Sequence, residues 1–226
     1  MFKKNFLNFI YIFFLGAISS YSLPPYNYYI INFISFSLFF IFIFKKKQKT
    51  FGNKFFFKYG WYFGFGYFLF SLYWIAISLT FDQNFKFLIP IAIILLPAFL
   101  AIFYGLMTYL FSILCSKNVV SSFFIFSILF GLIEFIRGSI LTGFPWNLIS
   151  FSFSSSIYFI QILSIIGTYS FNLVCITLFT LPALFILRNS RTEIMICFLF
   201  ILLSAAFLIF GYTKNNNFNS LESVKN

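Results

Sequence analysis

The stretch Phe87–Leu114 reads FLIPIAIILLPAFLAIFYGLMTYLFSIL, and no charged side chain interrupts it. A hydrocarbon core about 30 Å thick takes roughly 20 residues of apolar helix, so this run crosses a bilayer with length to spare. The excess implies tilt, a kink at Pro97, or a leading segment lying in the interface. The rest of the chain has the same character: its 226 residues are 62% hydrophobic and 26% aromatic, with only 8% charged. A soluble fold must present a polar skin, and this chain has too little polar material to make one. The implied fold class is all-α, a polytopic helical membrane bundle.

Seven spans are expected, at Phe6–Ser22, Tyr26–Phe44, Tyr59–Thr80, Phe87–Leu114, Ser121–Leu141, Ile157–Leu187 and Ile194–Tyr212. The sixth is also long, with Pro182 as its candidate kink. Lys3 and Lys4 before an apolar run look like the start of a signal peptide. No small-x-small cleavage site follows and further spans do, so a retained first helix is expected. Pro24 and Pro25 of SLPPYNYY stop a helix, and Tyr26, Tyr28 and Tyr29 suit a membrane interface. Residues 1–212 read as one membrane domain and 213–226 as a short polar tail. No internal repeat is visible.

The net charge is +11. With the N-terminus inside, Lys3, Lys4, Lys45, Lys46, Lys47, Lys49, Lys54, Lys58, Lys117, Arg188 and Arg191 fall on the inner side. Lys86, Lys214 and Lys225 fall outside. That bias places the N-terminus in the cytoplasm and the C-terminus in the periplasm. Basic residues confined to loops are membrane topology signals, so nucleic acid is not an expected partner. Cys115, Cys175 and Cys197 lie scattered through apolar segments without metal or disulfide spacing, and histidine is absent. No metal or cofactor is expected.

Against this background IEFIRGSILTGFPWNLISF, Ile133–Phe151, stands out. Glu134 and Arg137 are three apart, share a helical face and can pair. A lone charge at the bilayer centre costs roughly 2.5 to 3.5 kcal/mol. Arg137 lies near the outer end of its span, with Glu134 about one turn deeper. Two readings stand: a structural ion pair with a snorkelling arginine, or an anion site whose guanidinium fork matches phosphate while Glu134 holds it. Gly143, Phe144, Pro145 and Trp146 then form a rigid aromatic loop at the same face. In Tyr59–Leu79, Gly60 and Gly64 have the spacing of closely packed membrane helices, and Tyr73 and Trp74 face the same leaflet as Trp146.

Four pieces together resemble the membrane domain of the bacterial apolipoprotein N-acyltransferase family. They are LPPY at Leu23–Tyr26, YGWYFGFGYFLFSLYWIAISL at Tyr59–Leu79, EFIRGSILTGFPWNLISFSFS at Glu134–Ser154 and IIGTYSFN at Ile165–Asn172. Their order and spacing fit over essentially the whole chain. The resemblance implies transfer of an acyl chain from a phospholipid, typically phosphatidylethanolamine, to the α-amino group of a lipoprotein's lipidated N-terminal cysteine. In the family, a cysteine thiolate in a nitrilase-like domain attacks the phospholipid ester and forms a thioester. The lipoprotein amine then takes the acyl group, with a glutamate as base and a lysine beside the oxyanion.

The nitrilase-like domain would begin just after the seventh span, where this sequence has only Thr213–Asn226, and the family's final span is likewise not seen. No Glu, Lys or Cys matches a catalytic position, and the three cysteines read as packing residues. Catalytic residues are therefore none. The expected function is a lipid-binding membrane domain in a bacterial inner membrane, without turnover of its own. The lipid-binding candidates are Glu134, Arg137, Gly143, Phe144, Pro145, Trp146, Tyr73 and Trp74. Expected partners are membrane phospholipid, a lipoprotein substrate and a separately encoded nitrilase-like subunit. The alternatives are a degenerate lipid-binding remnant and a small transporter. A transporter would call for inverted repeats or a midplane polar site, and neither is seen.

Overall fold

The computed structural model describes residues 2–49, 52–140 and 143–223. Among them there is no strand. Seven long helices carry the fold: α1 (Phe2–Ser19), α2 (Ile30–Gln48), α3 (Asn53–Ser71), α4 (Ile89–Leu114), α5 (Val119–Ser139), α6 (Leu163–Ile186) and α7 (Arg191–Ser223). Successive helices alternate in direction, so the loops gather at two ends. At one end Gln48 Nε2 donates to the Ser116 carbonyl (3.0 Å), tying the turn after α2 to the turn after α4. The lysines of Lys45–Lys58, with Lys117, Arg188 and Arg191, sit in or beside the turns of this end. The longer loops gather at the other. Among the described residues four stretches are long and apolar enough to cross a membrane: Lys86–Leu114, Val119–Ser139, Thr168–Ile186 and Arg191–Asn216. Large apolar side chains such as Ile94, Leu95, Ile113, Ile128 and Leu199 are exposed on the outer surface. The molecule is a helical membrane bundle.

Lipid tails are as apolar as the helices, so close packing and buried polar bonds must hold such a bundle together. α3 lies at its centre, against α1 and α4. The expected role of Gly60 is realised here: a methyl group at that position would overlap the Tyr104 carbonyl and the Thr108 hydroxyl of α4. Thr108 Oγ1 then donates across to the Phe56 carbonyl (2.7 Å). Phenylalanines fill the space between α2, α3 and α5, with Phe39 stacked on Phe63 at 4.2 Å and Phe36 and Phe130 at 5.3 Å.

Polar bonds fasten the loop end. Ser19 Oγ donates to Asn32 Oδ1 (2.6 Å), and Asn32 Nδ2 donates to Ser22 Oγ (2.8 Å) and Ser152 Oγ (3.0 Å). Asn32 is fully buried. One amide thus joins the turn after α1 to the turn that precedes α6.

Helix boundaries depart from hydropathy in three places. The third helix was expected over Tyr59–Thr80 but runs Asn53–Ser71. It starts earlier because Lys54 and Lys58 can continue a helix beyond the apolar layer. Where it stops, the Ser71 carbonyl accepts from Asn147 Nδ2 (3.2 Å). Tyr73 and Trp74 therefore lie in a loop, before a single turn at Ile75–Ser78. The sixth apolar stretch is broken into a turn at Ile157–Ile160 and α6, and Gly167 takes a left-handed φ of 76° near the start of α6. The residues expected as a polar tail continue α7 as far as Ser223, and 224–226 lie outside the described residues.

The two interior prolines are accommodated within their helices. Pro97 lies inside α4 without ending it. Pro182 lies inside α6 and has no N–H to give the Leu178 carbonyl. Beside it Ser37 of α2 reaches the helix backbone. Its hydroxyl accepts from Ala183 N (3.1 Å) and donates to the Phe179 carbonyl (3.1 Å). A side chain from a neighbouring helix thus bonds two backbone groups beside the proline, where no water is at hand.

Candidate lipid-facing site

α5 ends where Ile140 turns to extended backbone (φ −86°, ψ 162°). Leu141 and Thr142 lie outside the described residues. Gly143 resumes with φ 73°, a conformation that side-chain-bearing residues adopt at a steric cost. Gly143 N donates to the Ile140 carbonyl (2.9 Å) and Phe144 N to the Arg137 carbonyl (3.2 Å). The loop therefore folds back over the last turn of its own helix.

Arg137 secures the fold-back from inside. Its Nη1 donates to the carbonyls of Phe144 (2.8 Å) and Trp146 (2.9 Å). Its Nη2 meets Glu134 Oε2 at 2.8 Å and its Nε meets Oε1 at 3.2 Å. The guanidinium carbon lies 5.2 Å from the centre of the Phe68 ring. Glu134 is 0% and Arg137 1% exposed, so the charges are paired inside protein rather than in water or lipid. Buried ions are tolerated only when paired and hydrogen-bonded, and this pair is both. Four hydrogen bonds to protein occupy the fork that phosphate would need. The arrangement is that of a clamp on the loop. Tyr104 lies buried beside Glu134.

α3 holds the loop from the other side. Tyr67 Oη donates to the Asn147 carbonyl (2.9 Å), and Asn147 occupies the left-handed region at φ 58°. Trp146 and Trp74 meet edge to face with centroids 6.4 Å apart. Beyond the loop, Gly138 leaves room for Tyr169 of α6, and Asn172 Oδ1 accepts from Ser150 N (2.8 Å). The motif segments that lie far apart in sequence thus converge at one end of the bundle.

Two cavities flank them. A cleft of about 140 Å³ lies between α4 and the end of α5, walled by Leu96, Phe99, Phe103, Ile140 and Phe144, with Arg137 and Gly143 at its edge. A second cavity of about 180 Å³ lies among Pro24, Pro25, Tyr26, Phe70, Tyr73 and Trp74. Of the expected site residues, Glu134, Arg137, Gly143 and Phe144 form one unit beside the cleft. Pro145 and Trp146 are exposed on the loop, and Tyr73 and Trp74 belong to the second cavity. Sequence reasoning missed Tyr67, Asn147, Phe68 and the α4 wall. Asn147, a turn-forming residue beside Trp146, carried a signal. The α4 residues carried none in so uniformly apolar a chain.

Cys175 and Cys197 are buried and Cys115 is half-buried, all unpaired. Among the described residues no group of His, Cys, Asp and Glu could hold a metal ion.

The fold and its motif-lined end are those of a polytopic membrane domain. Residues 15–181 match the apolipoprotein N-acyltransferase N-terminal domain. Apolipoprotein N-acyltransferases similar to this chain include that of Rhizobium rhizogenes, 33% identical over 89% of this chain and 38% of the relative. That of Rhizobium etli is 36% identical over 87% and 37%, and that of Brucella melitensis 33% over 75% and 33%. This chain belongs to the apolipoprotein N-acyltransferase family. It spans little more than a third of the length of these curated relatives.

Proposed function

We propose that this chain is the membrane part of an apolipoprotein N-acyltransferase, serving lipoprotein biosynthesis in a bacterial inner membrane. Its lysine-rich end, with the N-terminus, faces the cytoplasm, and its loop end faces the periplasm. There it holds an acyl chain of the phospholipid donor against the Gly143–Trp146 loop. The transfer to the lipoprotein's terminal amine is assigned to a nitrilase-like catalytic portion, for which the greater length of the relatives leaves room. The roles of the membrane part are to bind, orient and keep water away.

The observation that carries this reading is the cleft between α4 and α5, walled by Phe144 and open beside a loop that Arg137 clamps. An apolar wall next to a rigid backbone turn suits a hydrocarbon chain entering from the bilayer. The clamp gives Arg137 and Glu134 a positioning role toward lipid, in place of direct contact with phosphate.

The test uses phosphatidylethanolamine carrying a photoreactive group on its acyl chain, in nanodiscs with the purified chain. Cross-links mapped by mass spectrometry should concentrate on Phe99, Phe103, Ile140 and Phe144. Cross-links spread over α1, α2 and α7 in proportion to exposed surface would overturn the reading.

A further inference from the structure

The second cavity has a different chemistry from the cleft. Its walls are the rings of Tyr26, Phe70, Tyr73 and Trp74 and the two prolines of LPPY, and it holds about 180 Å³. No charged side chain lines it. Ser71 also lines it, and the Ser71 hydroxyl is buried without a hydrogen-bond partner. Tyr26, Tyr73 and Trp74 are each about half exposed, so the cavity opens at the loop end of the bundle.

These features select among ligands. A phosphate or carboxylate would need cationic donors, and none is present. A small, strongly hydrated cation such as sodium is best held by a carboxylate among several oxygen ligands, and no carboxylate lines the walls. Several aromatic rings around one cavity suit a weakly hydrated organic cation, whose charge is drawn to the negative faces of the rings. The volume accommodates a small substituted ammonium. Isolated interface aromatics would present their rings singly to lipid. Here proline-bounded turns bring residues from two distant loops around one space.

We propose that this cavity binds an ammonium group, that of an amine-bearing phospholipid headgroup or of a free alkylammonium, through the rings of Tyr26, Tyr73 and Trp74. The Ser71 hydroxyl is placed to accept a hydrogen bond from a primary ammonium. The site shares no lining residue with the α4–α5 cleft, so its failure would leave the acyl-chain reading standing.

The experiment uses the chain in nanodiscs of phosphatidylglycerol alone, which carry no ammonium group. Thermal unfolding is followed while tetramethylammonium chloride is titrated in, with sodium chloride at equal concentration as reference. A saturable rise in midpoint with tetramethylammonium only is expected, since a ligand that binds the folded state raises its stability. Tyr73→Leu and Tyr26→Leu should weaken the apparent affinity by about fivefold or more, and Tyr73→Phe should retain it because the ring remains. If Tyr73→Leu does not fold, Tyr26→Leu carries the comparison. An equal response to sodium, or an undiminished response in the leucine variants, would overturn the proposal. Discs containing phosphatidylethanolamine distinguish the source. A response that disappears there identifies a headgroup already in the site, and one that persists identifies free ammonium; either result requires the ammonium site.

Discussion

Arg137 and Glu134 form a two-pronged ion pair, Nη2 to Oε2 at 2.8 Å and Nε to Oε1 at 3.2 Å, with both side chains buried. Removing one partner leaves the other charged and unpaired in a place without water. Arg137→Met should therefore destabilise the bundle by about 3 kcal/mol or more. Arg137→Met combined with Glu134→Gln should recover part of that loss. Arg137→Lys keeps the charge but cannot reach the carboxylate and both carbonyls at once, so it should cost about 1 to 3 kcal/mol. Thermal unfolding measures these costs, and acyl cross-linking to Phe144 in the folded fraction reports whether the loop has moved. Lost stability with unchanged cross-linking would leave the pair a scaffold only.

Ser37 bonds the backbone of α6 beside Pro182, at Ala183 N and the Phe179 carbonyl. Ser37→Ala removes both of these bonds and should cost about 1 to 3 kcal/mol. In Pro182→Ala the helix can close its own hydrogen bonds, so Ser37→Ala in that background should cost less. The two changes measured singly and together by unfolding should be clearly non-additive. Additivity would mean that Ser37 acts independently of the proline.

Gly60→Ala should loosen the contact between α3 and α4, because the added methyl overlaps the Tyr104 backbone carbonyl, which cannot swing away. A cost of about 1 to 3 kcal/mol fits overpacking. Gly52→Ala is the matched control, since nothing lies within 4 Å of its added methyl. Equal effects of the two would remove close packing as the reason for Gly60.

Cys115, in the turn after α4, tests topology and reactivity together. Burial pushes its thiol up, opposed more weakly by the Ser122 hydroxyl and Lys47. Less thiolate is then present at pH 8 than for a free cysteine, so alkylation should be slow there and should keep accelerating as the pH rises. In oriented membranes, labelling should come from the cytoplasmic side, and reporters fused after residue 226 should act in the periplasm. Fast labelling at neutral pH, or labelling from the periplasm, would contradict the respective part.

Much of the bundle was legible because bilayer thickness and backbone chemistry leave a chain this apolar few options. Composition alone pointed to membrane helices, the placement of the lysines separated the two ends, and the spacing of Gly60 and Gly64 marked a close contact. The pairing of Glu134 with Arg137 followed from their spacing, because residues three apart share a helical face. What Arg137 does with its remaining donors did not follow. The carbonyls of Phe144 and Trp146 are backbone groups, and every residue type carries one, so no sequence pattern could announce that they would turn toward it. The bonds from Ser37 to the backbone beside Pro182 were hidden in the same way, by the distance along the chain between their partners. The bond from Asn147 to the end of α3 joins residues far apart in the chain, and the two cavities depended on loops meeting across the bundle. Local spacing and hydrophobicity are written in consecutive residues. Long-range contacts between chemically similar apolar surfaces are settled only when the helices pack.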